Sequence, residues 1–230
     1  MPKTVAILQS NYIPWKGYFD LIARSDQFIF YDDLPFTKND WRNRNQVMTR
    51  QGPRWLTIPC GAPRKRLICE VELPDPIWQK KHWTLISQEY GRAPCFGLYR
   101  PFLEEFYLGT VWTHLSEMNQ HLIRHVAREF LKLETGFDDS RRYGLKKRKA
   151  DRVMELLDTV GGVTEYVSGP AAKAYLEPAA FRERGIELTW MDYGGYPEYP
   201  QHHAPFVHQV SILDLLFQVG PKAREYMKHV

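Results

Sequence analysis

The sequence predicts an α/β fold in which helices flank a parallel sheet and a helical block occupies the middle of the chain. Short apolar runs typical of buried strands occur near both ends. Stretches with helical periodicity separate these runs, and residues 76–135 have helical spacing almost throughout. Because helices that connect neighbouring strands act as crossovers, this alternation predicts parallel pairing.

The first strand–helix–strand unit lies near the N-terminus. Residues 5–8 and 27–31 are apolar runs that predict buried strands, and residues 17–24 between them predict an amphipathic helix. In open parallel sheets, ligands bind beyond the carboxyl ends of the strands. The polar segments that follow the two strands, residues 9–16 and 32–44, are therefore predicted to share one crevice.

The rest of the chain repeats the same two kinds of element. Pro and Gly separate several of them, as at residues 74–76 and 161–162, and Ser211 is predicted to cap a late helix. The remaining predicted elements, in chain order, are strand 54–59, helices 78–90, 99–107, 115–133 and 150–157, strand 165–167, helix 178–184, strand 187–190, and helices 211–219 and 221–229.

This order divides the chain into three regions. Residues 1–75 are predicted to form an N-terminal half that carries the main ligand loops. Residues 76–135 form a helical insertion or layer, and residues 136–230 form a C-terminal half that completes the same sheet. A chain of 230 residues, 43% of them hydrophobic, is long enough to bury a sizeable core in this arrangement.

The composition argues against several classes of protein. No apolar run approaches the roughly 20 residues that a membrane helix needs, so we expect no membrane insertion and a cytoplasmic location. Cys60, Cys69 and Cys95 lack the number and spacing of a disulfide framework or a zinc knuckle and are expected to be free thiols. The sequence does not specify an oligomeric state.

Positive charge is clustered, although the net charge is only +4. One cluster includes Arg64, and the longest basic run covers residues 141–149. Such a run can bind phosphate, nucleic acid or an anionic membrane surface, or it can be a solvated face. Both interpretations remain open from the sequence.

The first strand-to-helix junction has the chemistry of an anion site. Free backbone N–H groups and the positive end of a helix dipole attract phosphate or carboxylate, and Lys16 adds a full charge. Asn11 can hydrogen-bond a ligand, and Tyr12, Trp15 and Tyr18 can stack on a base or a sugar. The alternative is a tightly packed turn in which the same rings belong to the core.

The second strand leads into a segment rich in charged and hydrogen-bonding side chains. Paired carboxylates at a strand end are costly to bury unless they bind a cation, a hydroxyl or a basic partner. Arginine forks and a lysine charge suit a phosphate or diphosphate, although a solvated basic loop is the alternative. The candidate site residues of this segment are Asp32, Asp33, Lys38, Trp41, Arg42, Asn43 and Arg44.

Two later loops follow predicted strands and therefore belong to the same edge of the sheet. The first supplies Ser168, Lys173 and Tyr175, and the second supplies Tyr196, Gln201 and His202. A turn followed by a helix start is the alternative interpretation of the first loop. Adjacent histidines rarely share a metal ion, so we predict no metal site, and the sequence contains no Walker loop or Rossmann glycine fingerprint.

Several segments together resemble a known family. They are residues 5–22, Asp26, Asp32-Asp33, Lys38, residues 41–45, residues 166–170, Tyr175-Leu176, Gly185-Ile186 and residues 196–201. In sequence and spacing they closely resemble the WbqC-like family of bacterial proteins, over nearly the whole chain. One departure from the expected pattern is Ser10, where proline is expected and serine should loosen the turn.

The resemblance implies a biological setting. Members of this family occur with the genes for O-antigen, the polysaccharide of lipopolysaccharide, and other surface polysaccharides. The opening unit and residues 168–176 also resemble, more weakly, the HIGH-motif nucleotidyltransferases, which implies a Rossmannoid fold of the HUP type. Both signature histidines of that superfamily are missing, since Trp15 or Lys16 and Tyr18 stand in their region.

The resemblance and the residues together lead to one leading hypothesis. The protein is expected to be a transferase that modifies a nucleotide-linked amino sugar by aminoacyl or acyl transfer to the sugar amine. Asp32 or Asp33 would act on the acceptor, Lys16 and Lys38 would hold phosphates, and aminoacyl-tRNA is one candidate donor. The alternatives are a nucleotidyltransferase or ligase that uses a nucleoside triphosphate with Mg, and a non-catalytic protein that binds RNA or another anion.

Overall fold

A computed structural model describes residues 2–61 and 65–230 of the chain. Arg64, part of a basic cluster in the sequence, lies outside the described residues. The strands are β1 (Thr4–Leu8), β2 (Gln27–Phe30), β3 (Arg44–Thr49), β4 (Gly52–Thr57), β5 (Gly136–Asp139), β6 (Glu165–Ser168) and β7 (Glu187–Trp190).

Seven α-helices are present among the described residues. They are α1 (Lys16–Ala23), α2 (Ile77–Tyr90), α3 (Phe96–Glu104), α4 (Leu115–His125), α5 (Lys149–Val160), α6 (Pro178–Arg182) and α7 (Ile212–Val219). Helices α3 and α4 each continue into a π-helical turn. The two turns are Glu105–Gly109 and Val126–Phe130, and 3₁₀ segments occur at Ile68–Glu70, Ser140–Tyr143, Pro170–Ala174 and Gly220–Tyr226.

Five strands form one parallel sheet in the order β5-β2-β1-β6-β7. From the central strand β1 the chain passes to β2 and β5, and helix α5 then returns it to β6 on the other side of β1. The strand order therefore reverses between β1 and β6, as in Rossmann-like folds. The predicted α/β class with a parallel sheet is confirmed.

Each face of the sheet carries its own layer of helices. Alternate strand residues point to opposite faces, and Ala6 and Phe28 lie in a core cluster with α1 and the helices of the middle block. Val5 and Ile29 lie in a second cluster with α5 and α6. Of the described residues, no helix is long and apolar enough to cross a membrane.

Two strands of the structure, β3 and β5, were not predicted from the sequence. Strand β5 contains Asp138 and Asp139 in place of an apolar run, and it lies at the edge of the sheet. Strand β3 begins with polar residues and pairs with β4 as an antiparallel hairpin outside the main sheet. The helix predicted at 221–229 is a 3₁₀ segment, Gly220–Tyr226.

The ends of two helices follow the predicted capping chemistry. The Ser211 hydroxyl accepts a hydrogen bond from the Leu213 amide at 3.2 Å and caps α7. Asp214 of the same helix accepts hydrogen bonds from the hydroxyls of Tyr90 and Tyr199, so it anchors α7 within the core. Gly161 ends α5 with a positive φ of 69°, a conformation that favours glycine.

Candidate functional site

A cavity of about 430 Å³ opens at the carboxyl ends of β1, β2 and β6, where the strand order reverses. We call it the crevice. Its walls come from residues 7–11, the residues after β2, and residues 168–175. A smaller cavity of about 220 Å³, the side pocket, adjoins it, because Asn11 and Trp41 line both. The predicted meeting of these loops in one crevice therefore occurs in the structure.

The loop between β1 and α1 is fixed from several sides. The Ser10 amide donates to Oδ1 of Asp32 at 2.8 Å, a bond that proline could not make, so serine ties this turn down rather than loosening it. Nδ2 of Asn45 donates to the carbonyls of Tyr12 and Ile13 at 3.1 and 2.9 Å. These ties hold the loop at a point where Asn11 lines both cavities.

Trp41 and Arg42 form the wall opposite the late loop. The Trp41 carbonyl accepts from the Tyr12 amide at 2.9 Å, and the Arg42 carbonyl accepts from Nδ2 of Asn119 in α4 at 2.8 Å. The Arg42 guanidinium lies 3.0 Å from a carboxylate oxygen of Asp40. Backbone bonds from two separate elements thus position a cation and an exposed aromatic ring at the crevice.

The late loop supplies polar and aromatic groups. Ser168 ends β6, and its hydroxyl accepts from the Tyr166 hydroxyl at 3.4 Å. Gly169 begins the turn that leads to Tyr175, whose ring is exposed at the crevice. Tyr193, which follows β7, closes this side. The crevice therefore combines one arginine with tyrosine and tryptophan rings, two side-chain amides and the Ser168 hydroxyl.

The model of the WbqC-like protein family matches residues 9–226. The chain belongs to the WbqC-like family. The resemblance seen in the sequence is confirmed, and membership supports a role related to polysaccharide biosynthesis. The chain is 42% identical to the uncharacterized protein Rv1507c of Mycobacterium tuberculosis over 229 residues, which cover 99% of this chain and 98% of that protein. No solved structure matches the chain significantly.

Tyr12 and Tyr18 of this WbqC-like protein belong to the core and do not line the crevice. Tyr12 is fully buried, and its hydroxyl bonds Nδ1 of His82 at 2.8 Å and the Tyr107 hydroxyl at 2.6 Å. The Tyr18 hydroxyl donates to the Gln9 carbonyl at 3.0 Å. Both rings are enclosed by protein, so their positions do not support the predicted stacking on a ligand.

Asp32 is also enclosed. It has no exposed surface, and its carboxylate accepts bonds from the Ser10 amide, the Ser116 hydroxyl and, at 3.0 Å, the Gln120 amide. Burial raises the pKa of this carboxyl, although the hydrogen bonds oppose the shift. With its oxygens bonded inside the protein, Asp32 joins β2 to α4 and is not placed to act on a substrate.

Asp33 points to the opposite face of the sheet edge. It forms an ion pair with Arg152 of α5 and accepts from the Ser140 hydroxyl at 2.6 Å. Its side chain is 14% exposed. The two predicted catalytic carboxylates thus lie in different environments, and each has partners within the protein.

Lys16 lies beneath the segment that follows Tyr193 rather than in the crevice. Its Nζ donates to the Pro197 carbonyl at 3.0 Å and stands 5.1 and 5.2 Å from the ring centres of Tyr196 and Tyr199. Burial lowers the pKa of this lysine to about 8, against the opposing effect of the Asp20 carboxylate. Its position does not support the predicted role as a phosphate anchor, since Lys16 is buried and does not line the crevice.

Four more of the predicted site residues, Trp15, Lys38, Asn43 and Arg44, lie outside the crevice. Lys38 is exposed, and Trp15 lines the side pocket with its ring edge-on to Tyr193 at 5.2 Å. Asn43 is buried and donates to the Ile58 carbonyl at 2.9 Å, so it holds the backbone. The Arg44 guanidinium stacks on the ring of Trp55, which does not line the crevice.

The late loops also divide between the crevice and other surroundings. Lys173 lies over the Trp190 ring at 5.8 Å, and the Tyr196 hydroxyl donates to Asp20 at 2.7 Å. Gln201 donates to Asp214 at 2.7 Å, and His202 is exposed. None of these four lines the crevice, so their predicted contact with a ligand there is not supported by their positions.

Tyr31 and Tyr193 line the crevice but were not among the predicted site residues. Each had a signal in the sequence, because Tyr31 ends the second apolar run and Tyr193 comes shortly after the last predicted strand. Within residues 2–61 and 65–230, no group of three or more His, Cys, Asp or Glu side chains is placed to hold a metal ion.

Proposed function

We propose that this protein binds a nucleotide-linked amino sugar in the crevice and transfers an aminoacyl or acyl group to the sugar amine during surface polysaccharide biosynthesis. One observation carries the proposal. At the point where the strand order reverses, Arg42, Trp41 and Tyr193 line one cavity of about 430 Å³.

The chemistry of the walls fits the parts of such a ligand. A guanidinium forms paired hydrogen bonds with phosphate oxygens, so Arg42 is the candidate for the diphosphate. Aromatic faces pack on a base or a sugar ring, and Asn11 and Ser168 offer hydrogen-bonding groups to hydroxyls. The size lies within the roughly 300–1,000 Å³ of small-molecule sites.

The proposed reaction forms one bond and breaks one. The lone pair of the sugar amine attacks the carbonyl carbon of an activated donor, and the bond from that carbon to the donor oxygen or sulfur breaks. The proton lost by the amine passes to the leaving group. Because Asp32 and Lys16 are enclosed by protein, the contribution that we propose is positioning of the two reactants.

Binding is tested with UDP-, TDP- and GDP-linked amino sugars by isothermal titration calorimetry. Loss of a charge-assisted phosphate contact costs about 1.5–3 kcal/mol, so Arg42→Ala should weaken binding by about 10- to 150-fold. Arg100→Ala is the matched control, because Arg100 is exposed on α3 and does not line the crevice. Equal affinities of the wild type and Arg42→Ala would contradict the assignment of the crevice.

Transfer is tested by incubation of the protein with the bound sugar nucleotide and an activated acyl donor, followed by mass spectrometry. Aminoacyl-tRNA and acyl thioesters are the two donors to compare. The proposal expects a sugar nucleotide heavier by one acyl group, and no gain in mass with either donor argues against it. Release of pyrophosphate with ATP or CTP and Mg would instead indicate a nucleotidyltransferase.

A further inference from the structure

Two exposed tryptophans lie side by side next to the crevice. Trp41 and Trp55 are 42% and 40% exposed, and their ring centres are 5.4 Å apart. The Arg44 guanidinium stacks on the Trp55 ring at 4.2 Å. We call these three residues the tryptophan platform.

The β3–β4 hairpin determines which side chains face outward. In its register Gln46 pairs with Trp55, and Arg44 pairs with Thr57, so these four side chains share one face. The opposite face carries buried residues such as Val47. Trp55 is thus exposed because it lies on the outward face of a paired strand.

The surroundings of the platform are cationic. Lys38 is exposed, and Arg42 lies next to Trp41 in the chain. Arg54 is also exposed, but it pairs with Val47 and so belongs to the opposite face of the hairpin. Asp40 offsets one of these charges through its ion pair with Arg42 at 3.0 Å. Large exposed rings among basic side chains are typical of surfaces on which nucleotide bases stack while cations bind the phosphates.

We propose that the tryptophan platform binds single-stranded nucleic acid. Bases stack on Trp41 and Trp55, and Arg44, together with Lys38 three positions before Trp41 in the chain, neutralises the backbone. A neutral glycan would use the same rings but would gain nothing from the surrounding cations, so the charges favour a polyanion with planar groups.

The platform continues into the crevice, because Trp41 belongs to both. A strand stacked on Trp41 therefore ends at the mouth of the crevice, where a group carried on its terminus would meet the bound sugar. This last placement rests on the proposed function. Binding to the platform itself does not.

The test is fluorescence anisotropy with labelled 12-nucleotide RNA and DNA strands and with the matching duplexes. Stacking on an aromatic side chain contributes about 1–3 kcal/mol per base, so Trp55→Ala should weaken binding to the single strands by about 5- to 150-fold. Trp55→Phe should restore much of the affinity. Arg44→Ala should lower the salt dependence of binding.

A double variant, Lys146→Ala with Lys147→Ala, is the control for the basic run at 141–149. Both lysines are exposed and lie outside the platform, so their loss should weaken binding much less than Trp55→Ala does. The reverse order would overturn the proposal and assign binding to the basic run. Circular dichroism of each variant confirms that it is folded.

Other results also decide against the platform. Absence of binding to every oligonucleotide at low salt, binding to anionic polysaccharide fragments instead, or dimerisation abolished by Trp55→Ala in sedimentation would each overturn it. Titration with the sugar nucleotide separates the two proposals. Trp55→Ala should leave that affinity unchanged, because Trp55 does not line the crevice, whereas Arg42→Ala should reduce it.

Discussion

The residues of the loop between β1 and α1 differ in whether they lie in the core or line a cavity. Tyr12 points into the core and bonds His82, whereas Asn11 and Trp15, one and three positions away, line the cavities. Residue type alone favoured all three equally, since each can stack on a ligand or hydrogen-bond it. The backbone conformation of the loop determines where each side chain points. Ile13 in this loop has a positive φ of 36°, which no apolar pattern in the sequence predicts.

Lys16 gives a prediction on pH dependence. Its pKa falls from the ordinary lysine value of 10.5, which applies to the unfolded chain, to about 8 in the folded protein, chiefly because of burial. Between these values the unfolded chain binds more protons than the folded protein, so the free energy of unfolding should rise as the pH increases from 8 to 10.5. Below pH 8 this contribution should not change with pH.

The measurement is urea unfolding of the wild type and Lys16→Met at pH 7.5 and pH 10. The difference in unfolding free energy between the two proteins should shift in favour of the wild type at the higher pH. Lys147→Met, which removes an exposed lysine, controls for the change in net charge. A difference that is the same at both pH values would mean that Lys16 is not enclosed in solution.

At the scale of single elements, the start of α1 requires Gly17, the second residue of the helix, to lie close to the Trp15 ring. A Cβ added at Gly17 would lie 2.3 Å from the Trp15 ring. Trp15 in turn lines the side pocket and packs against Tyr193 and Tyr196. The start of the helix and the shape of the pocket are thus coupled.

Gly17→Ala should therefore destabilise the protein, although alanine is the better helix former by about 1 kcal/mol. The Trp15 ring must move, so the tryptophan emission spectrum should shift as well. Gly97→Ala is the matched control, because Gly97 lies in α3 with no atom within 4 Å of an added Cβ. The control should be stabilised by about 0.5–1 kcal/mol in thermal unfolding, and equal behaviour of the two variants would contradict the coupling.

Elements with a strong local pattern were the ones that the sequence predicted well. Strands β1 and β2 are apolar runs, and α4 has apolar residues at helical spacing, so each carries its own signal. Strand β5 does not, because its Asp139 accepts a hydrogen bond from Gln120 of α4 at 2.8 Å and its Asp138 accepts one from Gln27 of β2 at 3.5 Å, contacts that depend on the three-dimensional arrangement. For the same reason, the position of the crevice was predictable from topology but its lining was only partly so.

On the scale of the whole molecule, residues from each of the three regions, 1–75, 76–135 and 136–230, share one core cluster. Phe28 of β2, Leu122 of α4 and Leu213 of α7 belong to it together. We therefore predict a single cooperative unfolding transition. Far-ultraviolet circular dichroism and tryptophan fluorescence should give coincident curves in urea. A separate early transition for residues 76–135, detected by hydrogen exchange, would instead indicate an independent unit.

The central strand β1 pairs with β2 on one edge and with β6 on the other, and the second pairing joins Thr4 to Glu165. During synthesis, the first edge can close early, whereas the second must wait until β6 leaves the ribosome. At about 5–20 residues per second, that wait lasts on the order of ten seconds. For that time an unpaired strand edge is open to pairing with other nascent chains, an exposure that a sheet built in chain order would avoid.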